Sequence, residues 1–429
     1  MASMTHHDEP STRPARLSTK EAARRLGVKP ETLYAYVSRG LLTSHRSPGG
    51  RGSTFAADEV DALLRRNRRP RSAAPDPASR TPADAVTVPT GITLIEDDRY
   101  WFRGVDAVEF ATHYGYEETA EWLWTGELRP GIRFTAPPEP LAAAERAVAA
   151  LPEHSGPTDR LRAATVAAAA ADPLRFDLTP DTVLTTARGL IATLTDALPP
   201  AGGRRREPGG TVAYRLWSRL APDGADDASV PVVQAALALL ADHDLAASTL
   251  AARVAASARA HPYAVVSAGL GALEGPVHGS ASGLAHRMLA EVLQRGSAGA
   301  VVSDLLRTGR RVPGLGHRLY RGEDPRARML FGLLEGVPAA ADALAAAREV
   351  VRAADRDLAV GANVDLALAV LSVGAGLPPE AGETLFAVSR TAGWIAHALE
   401  EYAERPLRMR PRGQYDGPAP GQPLPRPAR

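Results

Sequence analysis

Residues 241–283 read ADHDLAASTLAARVAASARAHPYAVVSAGLGALEGPVHGSASG. An Asp-His-Asp cluster opens the stretch, a long Ala-rich segment follows, and Gly275-Pro276-Val277-His278-Gly279 closes it. Glycine has the loosest backbone and proline lacks an N–H, so together they stop a helix. This places His278 on a stiff loop just past a helix, with Gly279 letting another group approach the backbone. An imidazole held in that way can donate or accept one proton near neutral pH. Taken alone, such a histidine fits a bond to backbone carbonyls at a helix end better than catalysis. The rest of the chain tips that balance.

With 429 residues the chain is long enough for two or three domains and a large buried core. Its formal net charge is +1, but the charge is uneven. Residues 1–80 hold 15 Lys and Arg against 8 Asp and Glu, whereas the remainder holds 35 against 41. A basic head on an acidic body implies two tasks. The absence of cysteine excludes disulfides, thiolate nucleophiles and Cys-ligated zinc. Lysine occurs only at Lys20 and Lys29, so the body can form neither a lysine Schiff base nor a P-loop. No apolar run reaches the roughly 18 residues of a membrane span, and no signal-peptide pattern opens the chain. A cytoplasmic protein without a membrane partner is expected.

Residues 1–67 are expected to form a small module behind a disordered polar tail of about 15 residues. Within it, LSTKEAARRLGVKPETLYAYVSRGLL (17–42) offers Ser18 or Thr19 as a helix cap. Gly27-Val28 makes a turn, and Pro30 suits the first turn of a second helix ending at Gly40. Leu26, Val28, Leu33 and Val37 supply a small core. The pattern resembles the helix-turn-helix of the MerR and excisionase-like group, in which the second helix, here about 30–39, enters the major groove. That resemblance makes DNA a partner. Arg24, Arg25, Arg39, Arg46 and Arg51 are its phosphate contacts, and Thr32, Tyr34 and Tyr36 its base contacts. Residues 46–53 read as a wing and 57–64 as a further short helix. A protein-interaction module is the other reading of this head.

Residues 68–90, rich in Pro, Ala, Ser and Arg, read as a linker. Thr93 to Gly104 looks like a β-hairpin, and helical spacing dominates from Val105 onward. Helices are expected near 141–151, 160–171, 180–198, 211–220, 231–241, 245–258, 281–294, 297–308, 326–334, 338–355, 364–375 and 380–404. Pro and Gly separate most of them. The body is therefore all-α, and residues 419–429 form a Pro-rich tail. Arg204-Arg205-Arg206 reads as a solvated turn.

Three separated segments set an ionisable residue beside a helix-breaking sequence: His278 in 275–279, His317 after Pro313, Gly314 and Gly316, and Asp365 after Asn363. Asn363 is a natural N-cap, which puts Asp365 in a first helical turn. There the macrodipole favours a carboxylate, so Asp365 is expected to be ionised and able to act as a base. By itself it would read at least as well as a dipole-stabilising aspartate.

The motifs ADHD–AAST (241–249), GPVHGSAS (275–282), GLGHRLYRGEDPR (314–326), ANVD (362–365), FAVSRTAGWIAH (386–397) and RPRGQY (410–415) then follow one another in register. In that order and spacing, residues 91–418 resemble citrate synthase. The resemblance implies large and small helical domains, the small one spanning about 280–378. It also implies condensation of acetyl-CoA with oxaloacetate to citrate and CoA, a transferase reaction of the tricarboxylic acid cycle. By the same resemblance Asp365 is the base, His278 donates to the developing enol oxygen, and His317 polarises the acceptor's keto group. Arg326, Arg390, Arg410 and His243 bind oxaloacetate, and Arg321 lies near the CoA phosphates. Arg410, for which Arg405 is the rival, would reach the neighbouring subunit's site, implying a homodimer. Packing explains Trp394 and His397 at least as well as catalysis. No metal or prosthetic group is called for; acetyl-CoA enters as a substrate. Ser280 and Ser282 replace the family's Gly and Asn, and Ala362 its Pro. These departures leave propionyl-CoA and 2-methylcitrate open, since one methylene is worth only about 1–3 kcal/mol. A third reading is a DNA-binding regulator that uses the condensing fold to sense a metabolite.

Overall fold

The computed structural model describes residues 16–26, 28, 33, 36–37, 42–46, 53–57, 59–60, 88–201, 209–224, 226–275, 278–358, 360–411 and 417. The chain divides into two compact units, Met1–Thr87 and Val88–Arg429.

In the N-terminal unit, strand β1 (Arg16–Ser18) leads into helix α1 (Thr19–Leu26). Ser18 caps that helix reciprocally: its Oγ accepts the Glu21 N–H at 3.4 Å, and Glu21 Oε2 accepts the Ser18 N–H at 2.9 Å. Strands β2 (His45–Arg46) and β3 (Ser53–Ala56) complete a three-stranded antiparallel sheet with β3 in the centre. The sheet was not expected from the sequence. Its short strands show alternation only at Phe55, which is fully buried with Ala22, Ala23, Leu26 and Leu33. Val28 and Val37 pack against this core as expected. Tyr36, half-buried, packs against it too. Thr32, Tyr34, Arg39 and Arg51, most of the second helix and the wing lie outside the described residues, as does the Arg204–Arg206 run. Arg24 is exposed on α1.

The body opens with strands β4 (Thr93–Glu96) and β5 (Arg99–Phe102), joined by a two-residue turn at Asp97 and Asp98. Both turn residues have positive φ (50° and 58°), as a tight hairpin with right-handed strand twist requires. A third strand, β6 (Val105–Asp106), pairs with β5 where helix was expected, and Asp106 then caps the first helix of the body.

Helices follow in the order α2 (Ala107–His113), α3 (Tyr116–Thr125), α4 (Pro138–Ala149), α5 (Pro157–Ala171), α6 (Pro180–Asp196), α7 (Val212–Leu220), α8 (Ser229–Leu240) and α9 (Ala247–Ser257). The chain continues with α10 (Pro262–Leu273), α11 (Ala281–Arg295), α12 (Ala298–Arg307), α13 (Pro325–Leu334), α14 (Ala341–Leu358), α15 (Val364–Gly374) and α16 (Ala381–Ala403). Several begin earlier than the sequence suggested because a proline occupies the first turn. Its missing N–H costs nothing there, and its fixed φ already suits the helix. Helix α10, which was not among the expected segments, also starts on a proline, Pro262, and His261 caps it through Nδ1.

The long helix α16 is the axis of the body, packed against α3, α6, α8, α9 and α10. A Cβ at Gly269 of α10 would lie 2.5 Å from the Trp394 ring, so glycine lets the two helices close on each other. Helices α11, α13 and α16 pack on α15, the helix that carries Asp365.

Candidate active site

Two loops are stitched together under the site. The Gly316 N–H donates to Gly361 O (2.8 Å), Asn363 N–H to Gly314 O (2.9 Å) and Asp324 N–H to Ala362 O (3.1 Å). Gly314 and Gly316 both have positive φ, and a Cβ on Gly314 would sit 2.8 Å from Leu366 Cβ. Asn363 caps α15 as expected, accepting the Asp365 N–H at 3.0 Å, while its Nδ2 donates to Gly316 O at 2.9 Å. The buried carboxylate of Asp324 joins two functional parts. Its Oδ2 accepts the Val364 N–H (3.1 Å) at the head of α15 and Arg326 Nη2 (2.7 Å).

His317 sits on this platform. Its Nδ1 accepts the Leu319 N–H at 3.1 Å, which leaves the ring proton of a neutral imidazole on Nε2. That nitrogen lies 3.4 Å from Arg326 Nη2. With the proton on Nε2, this long contact sets two donors side by side, which an oxygen ligand between them would satisfy. Burial, reinforced by the Arg326 charge, lowers His317 to a pKa of about 4, so it is neutral at pH 7. The His243 ring meets the His317 ring edge-on at 5.2 Å, and its Nε2 is 2.7 Å from the Tyr320 hydroxyl. Burial and the charges of Arg326 and Arg390 hold His243 well below its ordinary pKa.

Arg390, at 1% exposure, donates Nε–H to Leu240 O (2.8 Å) and lies over the Phe386 ring at 4.5 Å. Burial lowers its pKa to about 10, opposed by Asp242, so it stays cationic. Among the described residues no acid bonds its guanidinium. A buried cation in that state calls for an anion.

The Phe386 ring also meets His278 edge-on at 6.0 Å. His278 Nε2 lies 3.4 Å from the Ser248 N–H and 2.8 Å from Ser248 Oγ. Accepting that N–H puts the imidazole's own proton on Nδ1. Burial and then Arg390 lower its pKa, keeping it a neutral donor. Asp365 moves the other way. Burial raises it to about 6 against the pull of Arg326, with Asp324 pushing it further up. The helix dipole alone predicts a low value, and desolvation outweighs it. The carboxylate is still mostly ionised at pH 7, and it is a stronger base than an ordinary aspartate.

The structure thus gathers His243, His278, His317, Arg326, Asp365 and Arg390 about two mutually interacting arginines. Arg321 is exposed nearby, its N–H bonded to Asp98 Oδ1 at 2.6 Å. Arg410 does not join them within one chain. It is exposed on the arm that Ser257 holds through the N–H groups of Leu407 and Met409. Ser257 ends α9 and Ser248 lies near its start, so the two are about 14 Å apart. Sequence reasoning missed Ser248, Tyr320, Asp324 and Asp242 as supporting groups, although each stands inside a quoted motif. Of the serines that depart from the family pattern, Ser282 is buried against Gly382.

The family of citrate synthase C-terminal domains matches residues 83–412, and a helix-turn-helix domain family matches residues 16–68. The chain belongs to the citrate synthase family. A protein named citrate synthase from Haloferax volcanii is 32% identical over 338 residues, covering 73% of this chain and 88% of that protein. A protein named putative citrate synthase 2 from Mycobacterium tuberculosis is 38% identical over 218 residues, or 50% of this chain. The match spans only 58% of the mycobacterial protein's length. Among solved structures, citrate synthase from Thermoplasma acidophilum, in ternary complex with carboxymethyl coenzyme A and oxaloacetate, aligns with a TM-score of 0.67 at 25% identity. The alignment covers 80% of this chain and 97% of that one. This citrate synthase-family body thus follows a helix-turn-helix-like head. Among the described residues, no single helix is long and apolar enough to cross a membrane.

Proposed function

We propose that this protein condenses acetyl-CoA with oxaloacetate, giving citrate and CoA. The observation that carries this reading is that a carboxylate of raised basicity, two neutral imidazoles and two buried arginines form one electrostatically coupled cluster. Asp365 takes a proton from the thioester's methyl carbon, and the His278 Nδ1–H supports the carbonyl oxygen as it becomes an enol oxygen. That carbon attacks the keto carbon of oxaloacetate, whose oxygen is polarised by His317 Nε2–H and protonated as the C–C bond forms. Water then cleaves the thioester, releasing CoA. Arg326 and Arg390 hold the two carboxylates, charge-assisted bonds of about 1.5–3 kcal/mol each. His243 completes the acceptor side, and Arg321 lies toward the CoA phosphates. Arg410 belongs to the site of a second copy in a homodimer, since within one chain it stands at the far end of α9. Arg405 remains its rival for that role.

A thiol-release assay with purified protein, oxaloacetate and either acetyl-CoA or propionyl-CoA tests the reading. Release with acetyl-CoA supports it, and release only with propionyl-CoA shifts it to 2-methylcitrate synthesis. The match of residues 16–68 to a helix-turn-helix family favours a second reading, in which the head binds DNA and the body senses a metabolite. A DNA footprint without CoA release from either thioester would select it. In that reading Arg24, Arg39 and Arg51 contact phosphates, while Thr32 and Tyr34 face the bases.

A further inference from the structure

Tyr320 stands three residues after His317 on the same loop and is 4% exposed. Its ring lies 4.8 Å from the His317 ring, with the Arg326 guanidinium 5.8 Å from its centroid. The nitrogen of His243 2.7 Å away is the hydrogen-bond partner of its hydroxyl among the described residues. The imidazole is therefore held at Nε2 by the Tyr320 hydroxyl, with the His317 ring edge-on against it at 5.2 Å. A neutral imidazole has one proton to place, and its position decides which edge donates. Without the hydroxyl, the buried Nε2 loses its side-chain partner and the ring its hydrogen-bonded anchor. Phenylalanine would keep the ring's contacts with His317 and Arg326 and remove only this bond.

We infer that Tyr320 is a positioning residue for the keto-dicarboxylate acceptor, acting through the orientation and tautomer of His243. The inference rests on the condensation reading for the identity of that acceptor. Tyr320→Phe should raise the KM for oxaloacetate about fivefold to tenfold, and weaken oxaloacetate binding measured by calorimetry to the same extent. The KM for the acyl-CoA and the melting temperature should stay essentially unchanged. In a His243→Asn background the same substitution should add less than twofold, because the two residues act as one unit. Equal rises in both KM values, or a full additional effect in the His243→Asn background, would overturn the inference. Calorimetry needs no turnover. A wild-type protein that binds oxaloacetate but releases no CoA defeats the condensation reading alone, and the loss of binding in Tyr320→Phe still decides this one. A wild-type protein that binds no oxaloacetate defeats the inference itself.

Discussion

Two arginines packed on or within α16 are almost completely buried, and they are treated in opposite ways. Arg253 gives Nε–H to Glu401 Oε1 and Nη1–H to Glu400 Oε2, each at 2.7 Å, and lies 2.8 Å from His397 Nδ1. Its Nη2 reaches Glu401 at 2.7 Å and Pro89 O at 3.4 Å. Arg390 has one backbone carbonyl and an aromatic face. The first guanidinium is a finished structural joint. It ties α9 to α16, to the entry segment through the Gly91 N–H on Glu400, and to the C-terminal arm through Arg408 on Glu401. The second leaves donors for something that is not protein. Burial alone does not mark a binding residue, but a buried guanidinium to which no acid is hydrogen-bonded among the described residues does.

The sharpest way to test this division is to remove the chemistry while leaving the joint alone. Asp365→Ala should lower kcat by about 10²–10⁴-fold with the circular dichroism spectrum and hydrodynamic size retained, as for loss of a general base. Near-normal turnover would mean that the pocket's carboxylate is an ornament of the helix cap. Arg253→Met should do the reverse. It leaves Glu401 and Glu400 with fewer partners and should cost about 3–5 kcal/mol in a denaturant melt. The KM for oxaloacetate of the folded fraction should remain within about threefold of the parent, judged by the small value expected for groups outside the pocket. Arg390→Gln should shift the acceptor KM by roughly 10- to 150-fold, the worth of one charge-assisted contact, with little change in the acyl-CoA KM. If Arg253→Met harmed the acceptor KM as much as Arg390→Gln, the two arginines would belong to one system and the contrast would collapse.

The same contrast explains what the sequence could say. Local signals decided the site's frame: Asn363 before a helix, Gly314 and Gly316 in a tight loop, and Gly-Pro before His278 all follow from backbone rules acting over a few residues. The helical body was legible through apolar spacing, although helices were expected to begin just after Pro138, Pro157 and Pro325, which in fact start them, and α10 was not among the expected segments. The Arg253 joint was not legible. Its partners Glu400 and Glu401 lie 147 and 148 residues away, and one arginine in an Ala-rich helix shows no partner until the fold brings it. Tyr320 and Ser248 were hidden for a related reason. Their motifs were visible, but which ring nitrogen each would meet depends on three-dimensional register. Asp365 shows a shift that sequence alone does not reveal: the dipole is a local property and was foreseen, whereas desolvation comes from the packing of distant segments.

The smallest effect concerns that shift and can be read from stability. Asp365 has a folded-state pKa of about 6, above the ordinary aspartate value of 3.8, so ionising it opposes folding. At pH 7 the parent protein carries this cost, and Asp365→Asn does not. On acidification through pH 6 toward 4, the parent's carboxyl becomes neutral in the folded state, then also in the unfolded state, and the cost disappears. Asp365→Asn should therefore melt a few degrees above the parent at pH 7, and the gap should close as pH falls to about 4, with shared groups cancelling in the difference. Activity should follow the same titration, with kcat of the parent falling about tenfold per pH unit below pH 6. An Asp365→Asn variant that melted below the parent at pH 7, with the deficit closing on acidification, would show a carboxylate stabilised by the helix start and Arg326 after all. Asp365 would then belong with Arg253 among the finished joints, and the base would have to be sought elsewhere in the pocket.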